Sequence, residues 1–180
     1  MNSTLVLLHA CCAPCSVQCV ETLRAEGFEP SAFFYNPNIH PYSEYANRLS
    51  ALERLRAVLK LNLITSGGYG LREFLTATDA ERDFPARCTA CYAIRLGETA
   101  RFAAENGFEY FSTTLLISPY QNHALIAELA EELASRSGVK FLYRDFRKLF
   151  RSGQIQAREL GLYTQKYCGC IFSEEERYKK

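Results

Sequence analysis

The chain predicts an α/β fold, a parallel sheet flanked by helices in one domain, and two observations carry this. Short apolar runs of strand length alternate with longer segments whose apolar residues recur at helical spacing, the pattern of successive βαβ units. The 180 residues, 48% of them hydrophobic, suit one domain spanning 1–180 with an ordinary core, since domains run to roughly 100–200 residues.

Residues 5–9 (LVLLH) form a short apolar run that reads as a buried first strand. Pro14 suits the first turn of a helix running to Glu26, with Gly27 as its stop. Residues 31–35 (SAFFY) make a second strand, closed by the turn residues Asn36, Pro37 and Asn38. Tyr45, Leu49, Leu52, Leu55 and Leu59 share one helical face, so residues 43–61 read as an amphipathic helix. Residues 63–66 are a third strand, cut by Gly67 and Gly68. From Cys91 to Asn106 the pattern is helical, and Gly107 ends it. Residues 110–116 (YFSTTLL) form strand four, Leu125, Leu129 and Leu133 mark the next helix, and residues 140–144 are strand five. Beyond Leu149 the chain reads as an irregular segment that folds back over the strand ends.

In open parallel sheets, ligands bind beyond the carboxyl ends of the strands. Three features fall at such ends. A cysteine triplet (Cys11, Cys12, Cys15) follows strand one. A polar set (Thr113, Thr114, Ser118, Tyr120, Gln121) follows strand four, and a basic stretch follows strand five.

Seven of the 8 cysteines lie in close-set groups: the triplet, the pair Cys88 and Cys91, and the pair Cys168 and Cys170. Clustered thiols bind soft metals or form disulfides. No basic-then-apolar leader precedes the first strand, and no apolar run approaches the about 18 residues of a membrane span. The expected setting is therefore cytoplasmic with no membrane partner, where clustered cysteines mean metal or redox chemistry more often than disulfides. A four-iron cluster or a structural zinc consumes four ligands, and this chain offers more than one such site needs. Two adjacent thiolates, Cys11 and Cys12, point in different directions, so each can face its own metal. Thiolate counts alone leave iron–sulfur and zinc both open. Cys19, one helical turn past Cys15, reads as a small buried hydrophobe.

The weaker polar candidates are His9, as a donor to a thiolate or a satisfied core histidine, and His40, in a loop that could reach substrate. His9, Tyr120 and Asp145 are possible proton donors, although Arg144 and Arg147 flank Asp145 and make an ordinary ion pair the plainer reading. From Lys140 to Lys180 there are ten Lys/Arg against five Asp/Glu, a net +5, while the rest carries eleven against fifteen, a net −4. Aromatics interleave with those basic residues, a combination that suits phosphates and exposed bases as well as a solvated tail.

HACCAPC, FYNPNIHP, CxxCYxxRL, TTLLISPYQ, YRDFR and YCGCIFSEEER occur in this order from His9 to Arg177, and together they closely resemble the epoxyqueuosine reductase QueH family. The resemblance implies an adenine-nucleotide-hydrolase-like, Rossmann-like fold and a cobalamin-independent oxidoreductase. Its reaction is the last step of tRNA queuosine biosynthesis, reduction of epoxyqueuosine to queuosine in the anticodon stem-loop. It also implies a 4Fe-4S cluster beside a separately held mononuclear iron, and an external electron donor. Cluster and metal ligands would come from Cys11, Cys12, Cys88, Cys91, Cys168 and Cys170, with Cys12, Cys88, Cys91 and one of the last pair as the expected cluster set. Cys15 stands where some family members carry Asp, which would be a ligand of the second metal; a thiolate there changes that site's softness and charge. Cys15, His9, Tyr120 and Asp145 are the catalytic candidates. Two rivals remain. One is a cluster-dependent, ATP-using tRNA thiolase, disfavoured because HACCAPCS has no glycine to let backbone amides approach phosphates. The other is a zinc-stabilised nucleic-acid-binding module.

Overall fold

The structure is a computed structural model and describes residues 4–78, 83 and 85–179. Five strands, β1 (Thr4–His9), β2 (Phe28–Phe34), β3 (Asn62–Thr65), β4 (Tyr110–Thr113) and β5 (Lys140–Phe141), form one sheet in the order β3-β2-β1-β4-β5. All four pairings are parallel, with Val6 opposite both Pro30 and Tyr110 at the centre. Parallel neighbours require crossovers, and helices supply them: α1 (Ala13–Ala25), α2 (Tyr42–Leu59), α3 (Leu71–Ala77), α4 (Ala86–Glu105) and α5 (His123–Ser137). α1 packs on α2, and α4 packs on α5. The order steps outward from β1 to β3 and then returns to β4, so right-handed crossovers place these two helix pairs on opposite faces.

β1 is central and covered on both faces, which is why its sequence is a continuous apolar run: Val6, Leu7 and Leu8 are all fully buried. They join Phe33, Phe34 and Phe111 in the core. The short outer strand β5 carries only two residues, so the expected extension to 144 is absent. Strand four also ends early. After Thr113 the chain turns into a 3-10 helix, Thr114–Ile117, with the Thr113 hydroxyl accepting from Leu115 N.

The largest departure from expectation is at the C-terminus, which is irregular only over residues 160–170. A 3-10 turn, Arg147–Leu149, leads into α6 (Phe150–Glu159), and α7 (Ile171–Tyr178) follows the last cysteine pair. α6 lies against α1, where Gly153 permits the contact: a Cβ there would sit 2.9 Å from the Pro14 carbonyl oxygen. Helix α4 begins at Ala86, five residues before Cys91, so Cys88 and Cys91 both lie in its first turns.

Candidate metal centre and active-site cavity

Between β1 and β4 the strand order reverses, and this switch point is where an open α/β sheet leaves a crevice. Cys11, Cys12 and Cys15 stand there. Cys12 caps α1 with extended backbone, Pro14 starts the helix, and Cys15 is in the first turn. The three Sγ atoms all lie within 4.8 Å of one another, and Cys11 Sγ is 3.8 Å from Cys12 Sγ. Thr114, at the end of β4, holds Cys11 from the other side: its hydroxyl accepts from Cys11 N at 3.3 Å and lies 3.6 Å from Cys11 Sγ. Gln165 Nε2 donates to Cys12 Sγ at 3.0 Å, with Cys15 Sγ at 3.8 Å. Hydrogen bonding with Cys12 and Cys15 draws the Cys11 thiol well below its ordinary range. Burial raises Cys12, and hydrogen bonding with Cys11 raises Cys15. One thiolate shared among three buried sulfurs is a soft, anionic donor set suited to a metal ion.

The other four thiols gather at the start of α4 and α7. Cys91 and Cys170 share an apolar cluster with Phe74 and Phe172, and Cys88 and Cys168 are near enough to repel each other's charge. Burial pushes Cys88 up to about 11 and Cys91 up to about 12. Cys170 caps α7, its Sγ accepting from Ser173 N at 3.3 Å.

The two thiol groups border one cavity of about 640 Å³, whose walls include Cys11, Cys15 and Cys168. Thr114, Ser118, Tyr120 and Gln121 line it, as the expected polar set, while Thr113 lies behind. Gln121 Nε2 reaches Cys168 Sγ at 3.8 Å, and its Oε1 accepts from Tyr92 Oη at 2.6 Å. Tyr120 stands at the mouth, 84% exposed, edge-on to Phe150.

Three side chains that the sequence did not single out complete the cavity. Arg48 and Arg95 are 1% and 2% exposed and line its floor. Arg48 donates Nε to Glu44 at 2.7 Å, Nη1 to the Cys168 carbonyl at 3.0 Å and Nη2 to the Tyr167 carbonyl at 2.9 Å. Gln165 is the third, and its Oε1 is buried with no partner among the described residues. A signal for Arg95 was present: four residues past Cys91 on a helix, it shares that cysteine's face.

His9 lies beneath the triplet. Burial, followed by the charge of Arg95, lowers its pKa to about 3, so the ring is neutral. Arg95 Nε and the Tyr35 carbonyl oxygen both lie 3.3 Å from its Nε2, and Thr113 Oγ1 lies 2.9 Å from its Nδ1. His9 thus acts as a brace between β1 and β4 rather than a cavity residue. His40 is fully buried against Tyr69 and Phe74 and does not line the cavity. Asp145 is also absent from the cavity wall. It accepts from Arg147 Nε and Nη2, and that hydrogen bonding holds its carboxyl well below the usual range. Cys19 is fully buried in α1, as expected.

A family model described as "Epoxyqueuosine reductase QueH" matches residues 6–176. The chain belongs to the epoxyqueuosine reductase QueH family. Among curated QueH proteins, that of Dehalococcoides mccartyi is 43% identical over 97% of this chain and 95% of its own length. That of Thermotoga maritima is 39% identical over 97% of this chain and 93% of its own length. The fold resembles a crystal structure described as a predicted subunit of tRNA methyltransferase from Methanocaldococcus jannaschii, with a TM-score of 0.53, 15% identity, and coverage of 86% of this chain and 75% of that one. At that identity the likeness speaks to the fold. The chain is thus an oxidoreductase of the QueH type, and no helix among its described residues is long and apolar enough to cross a membrane.

Proposed function

We propose that this enzyme reduces epoxyqueuosine in tRNA to queuosine, the last step of queuosine biosynthesis, at the cavity between the two thiol groups. The observation that carries the reading is that Cys11, Cys15 and Cys168 of a QueH chain line one cavity with a basic, aromatic mouth, with Cys12 beside the first two and Cys88, Cys91 and Cys170 grouped near the third. The reaction takes an epoxide, two electrons and two protons to an alkene and water.

The donor set fits a 4Fe-4S cluster with a mononuclear iron beside it, because seven thiols exceed what one four-ligand centre consumes. Cys12, Cys88, Cys91 and one of Cys168 and Cys170 are the proposed cluster ligands, leaving Cys11 and Cys15 for the adjacent iron. The 3.8 Å between Cys11 and Cys12 would set the two centres side by side. When bound, this pair supplies one-electron redox steps and a Lewis acid.

The chain's own residues do the rest. Gln165 and Gln121 donate to thiol sulfurs and fix their orientation. Arg158, Lys166 and Arg177 line the cavity and meet anticodon phosphates, while Tyr120 offers an exposed ring on which a base can stack. The basic stretch that follows strand five is less free: Arg144 is paired with Glu26 and Arg147 with Asp145. Of the possible proton donors, Tyr120 is at the cavity and keeps that role in this proposal; His9 and Asp145, which do not line it, do not.

The test is iron and acid-labile sulfide content of anaerobically purified protein, followed by turnover of epoxyqueuosine tRNA. About five irons and four sulfides per chain with queuosine formed is the expected result. Zinc without sulfide after reconstitution would overturn it. Cys15→Ser should keep the sulfide and lose turnover.

A further inference from the structure

We infer that Arg95 is the internal counter-charge of the thiolate centre and sets its reduction potential. The inference rests on the metallocentre reading above and deepens it.

Arg48 and Arg95 are equally buried, but they are neutralised differently. Arg48 brings its own carboxylate, Glu44, one helical turn away at 2.7 Å. Among the described residues Arg95 has no such partner. Its donors end on Asn36 Oδ1 at 3.0 Å, His9 Nε2 at 3.3 Å and Cys91 Sγ at 3.8 Å. Neither an amide such as Asn36 nor an imidazole such as His9 can supply a negative charge. A guanidinium does not give up its proton, and an uncompensated buried ion costs several kcal/mol. The remaining source of negative charge is the cysteines, which are thiolates once they bind metal. Cys91 lies on the same helix face, and the charges of Cys11 and Cys168 also act on Arg95. Arg95 therefore stands between the two thiol groups, with its positive charge balanced by sulfur from both.

The framework that holds it is fully satisfied. Asn36 Nδ2 donates to the Ala10 carbonyl at 3.0 Å, and His9 is pinned to Thr113. The ends of β1, β2 and β4 thus all bear on one guanidinium. Such a side chain has no freedom to swing toward solvent when the charge of the centre changes. A fixed cation beside a centre that gains an electron stabilises the reduced form, and net charge and hydrogen bonds to sulfur are established determinants of cluster potential. Arg95 is a positioning residue in this sense: it acts through the thiolates.

The test is an equilibrium redox titration, followed by electron paramagnetic resonance, of the anaerobically reconstituted full chain and its Arg95→Lys and Arg95→Met variants. Iron and sulfide are counted in each sample. Arg95→Met should shift the midpoint to more negative potential by at least a tenfold change in the oxidised-to-reduced ratio, 59 mV for a one-electron couple. Arg95→Lys, which keeps the charge, should shift it by less than half as much. Unchanged potential in Arg95→Met with full iron and sulfide would overturn the inference. Should Arg95→Met fail to assemble, Asn36→Asp provides the second arm. It keeps Arg95 and places a carboxylate at the 3.0 Å contact, so the potential should again fall, and no change would overturn the inference. A wild-type chain that takes up no iron and sulfide would instead end the metallocentre reading, and this inference with it.

Discussion

Arg48 Nη1 donates to the carbonyl oxygen of Cys168, 3.0 Å away and 120 positions later in the chain. This bond ties the last cysteine pair to α2, and Glu44, which also accepts from the Tyr163 hydroxyl, steadies the guanidinium. The Tyr167 hydroxyl donates to the His40 carbonyl, and His40 N donates to the Gly169 carbonyl at 2.8 Å. The loop bearing Cys168 and Cys170 is therefore held in place by α2 and the preceding turn rather than by a metal alone.

Replacing Arg48 should release that loop. Arg48→Met removes one partner of a buried ion pair, a change that costs about 3–5 kcal/mol. The expected outcome is a lower urea midpoint, faster amide exchange over residues 163–170, and reduced iron retention after gel filtration. Exchange unchanged in that segment would show that the loop is held by something other than Arg48.

Gly169 separates the two cysteines with φ +127°, a conformation that side chains rarely adopt, and a Cβ there would lie 3.2 Å from Arg48 Nη1 and from Ile39 Cγ1. Gly169→Ala should therefore destabilise the fold by more than about 1 kcal/mol and displace Cys168 or Cys170. Thermal unfolding of the metal-free protein reads the first effect and sulfide content after reconstitution reads the second. A wild-type melting temperature would contradict the first, and full sulfide content the second.

Two fully buried histidines, His9 and His40, predict acid sensitivity. Burial holds His9 at about 3 and His40 at about 4, below the ordinary 6.5. Above pH 6.5 neither the folded nor the unfolded chain binds these protons, and stability is at its full value. As pH falls below 6.5 the unfolded chain takes them up first, so stability is lost, by about 1.4 kcal/mol per pH unit for each group, until the folded chain protonates near pH 4 and then pH 3. Both ring nitrogens of His40 lack partners among the described residues, so His40→Leu removes a titrating group without breaking a side-chain bond. Urea unfolding of the metal-free protein between pH 6 and 4.5 should show a shallower pH slope in His40→Leu than in wild type. Equal slopes would mean that His40 does not titrate in this window.

The parallel sheet was legible because buried strands such as residues 5–9 and periodic helices such as α2 both announce themselves through apolar spacing. α6 and α7 were not. α6 buries only Gly153 and Ala157, small residues four apart that give no apolar stripe, and α7 buries no residue and is set by its cap on Cys170. Cysteine spacing revealed the thiol groups. It did not reveal Arg48 and Gln165, whose roles depend on contacts with Cys168 and Cys12 that lie more than 100 residues away in the chain. For Asp145 the plainer of its two readings is the one the structure holds, an ion pair with Arg147 at the surface.

Under the proposed function, the same geometry predicts which cations meet RNA. Arg158, Lys166 and Arg177 line the cavity, whereas Arg144 and Arg147 each carry a carboxylate partner. Removing one cation that meets a phosphate should reduce the slope of log affinity against log salt by roughly 0.7–0.9. Arg158→Ala with Arg177→Ala should therefore weaken binding of an anticodon stem-loop at low salt and flatten the slope by about 1.5, as read by fluorescence anisotropy across a salt series. Arg144→Glu with Arg147→Glu should have the smaller effect, because those guanidiniums are already partly neutralised. The reverse ranking would move the RNA from the cavity mouth to the face beside β5, and would leave Tyr120 without a base to stack.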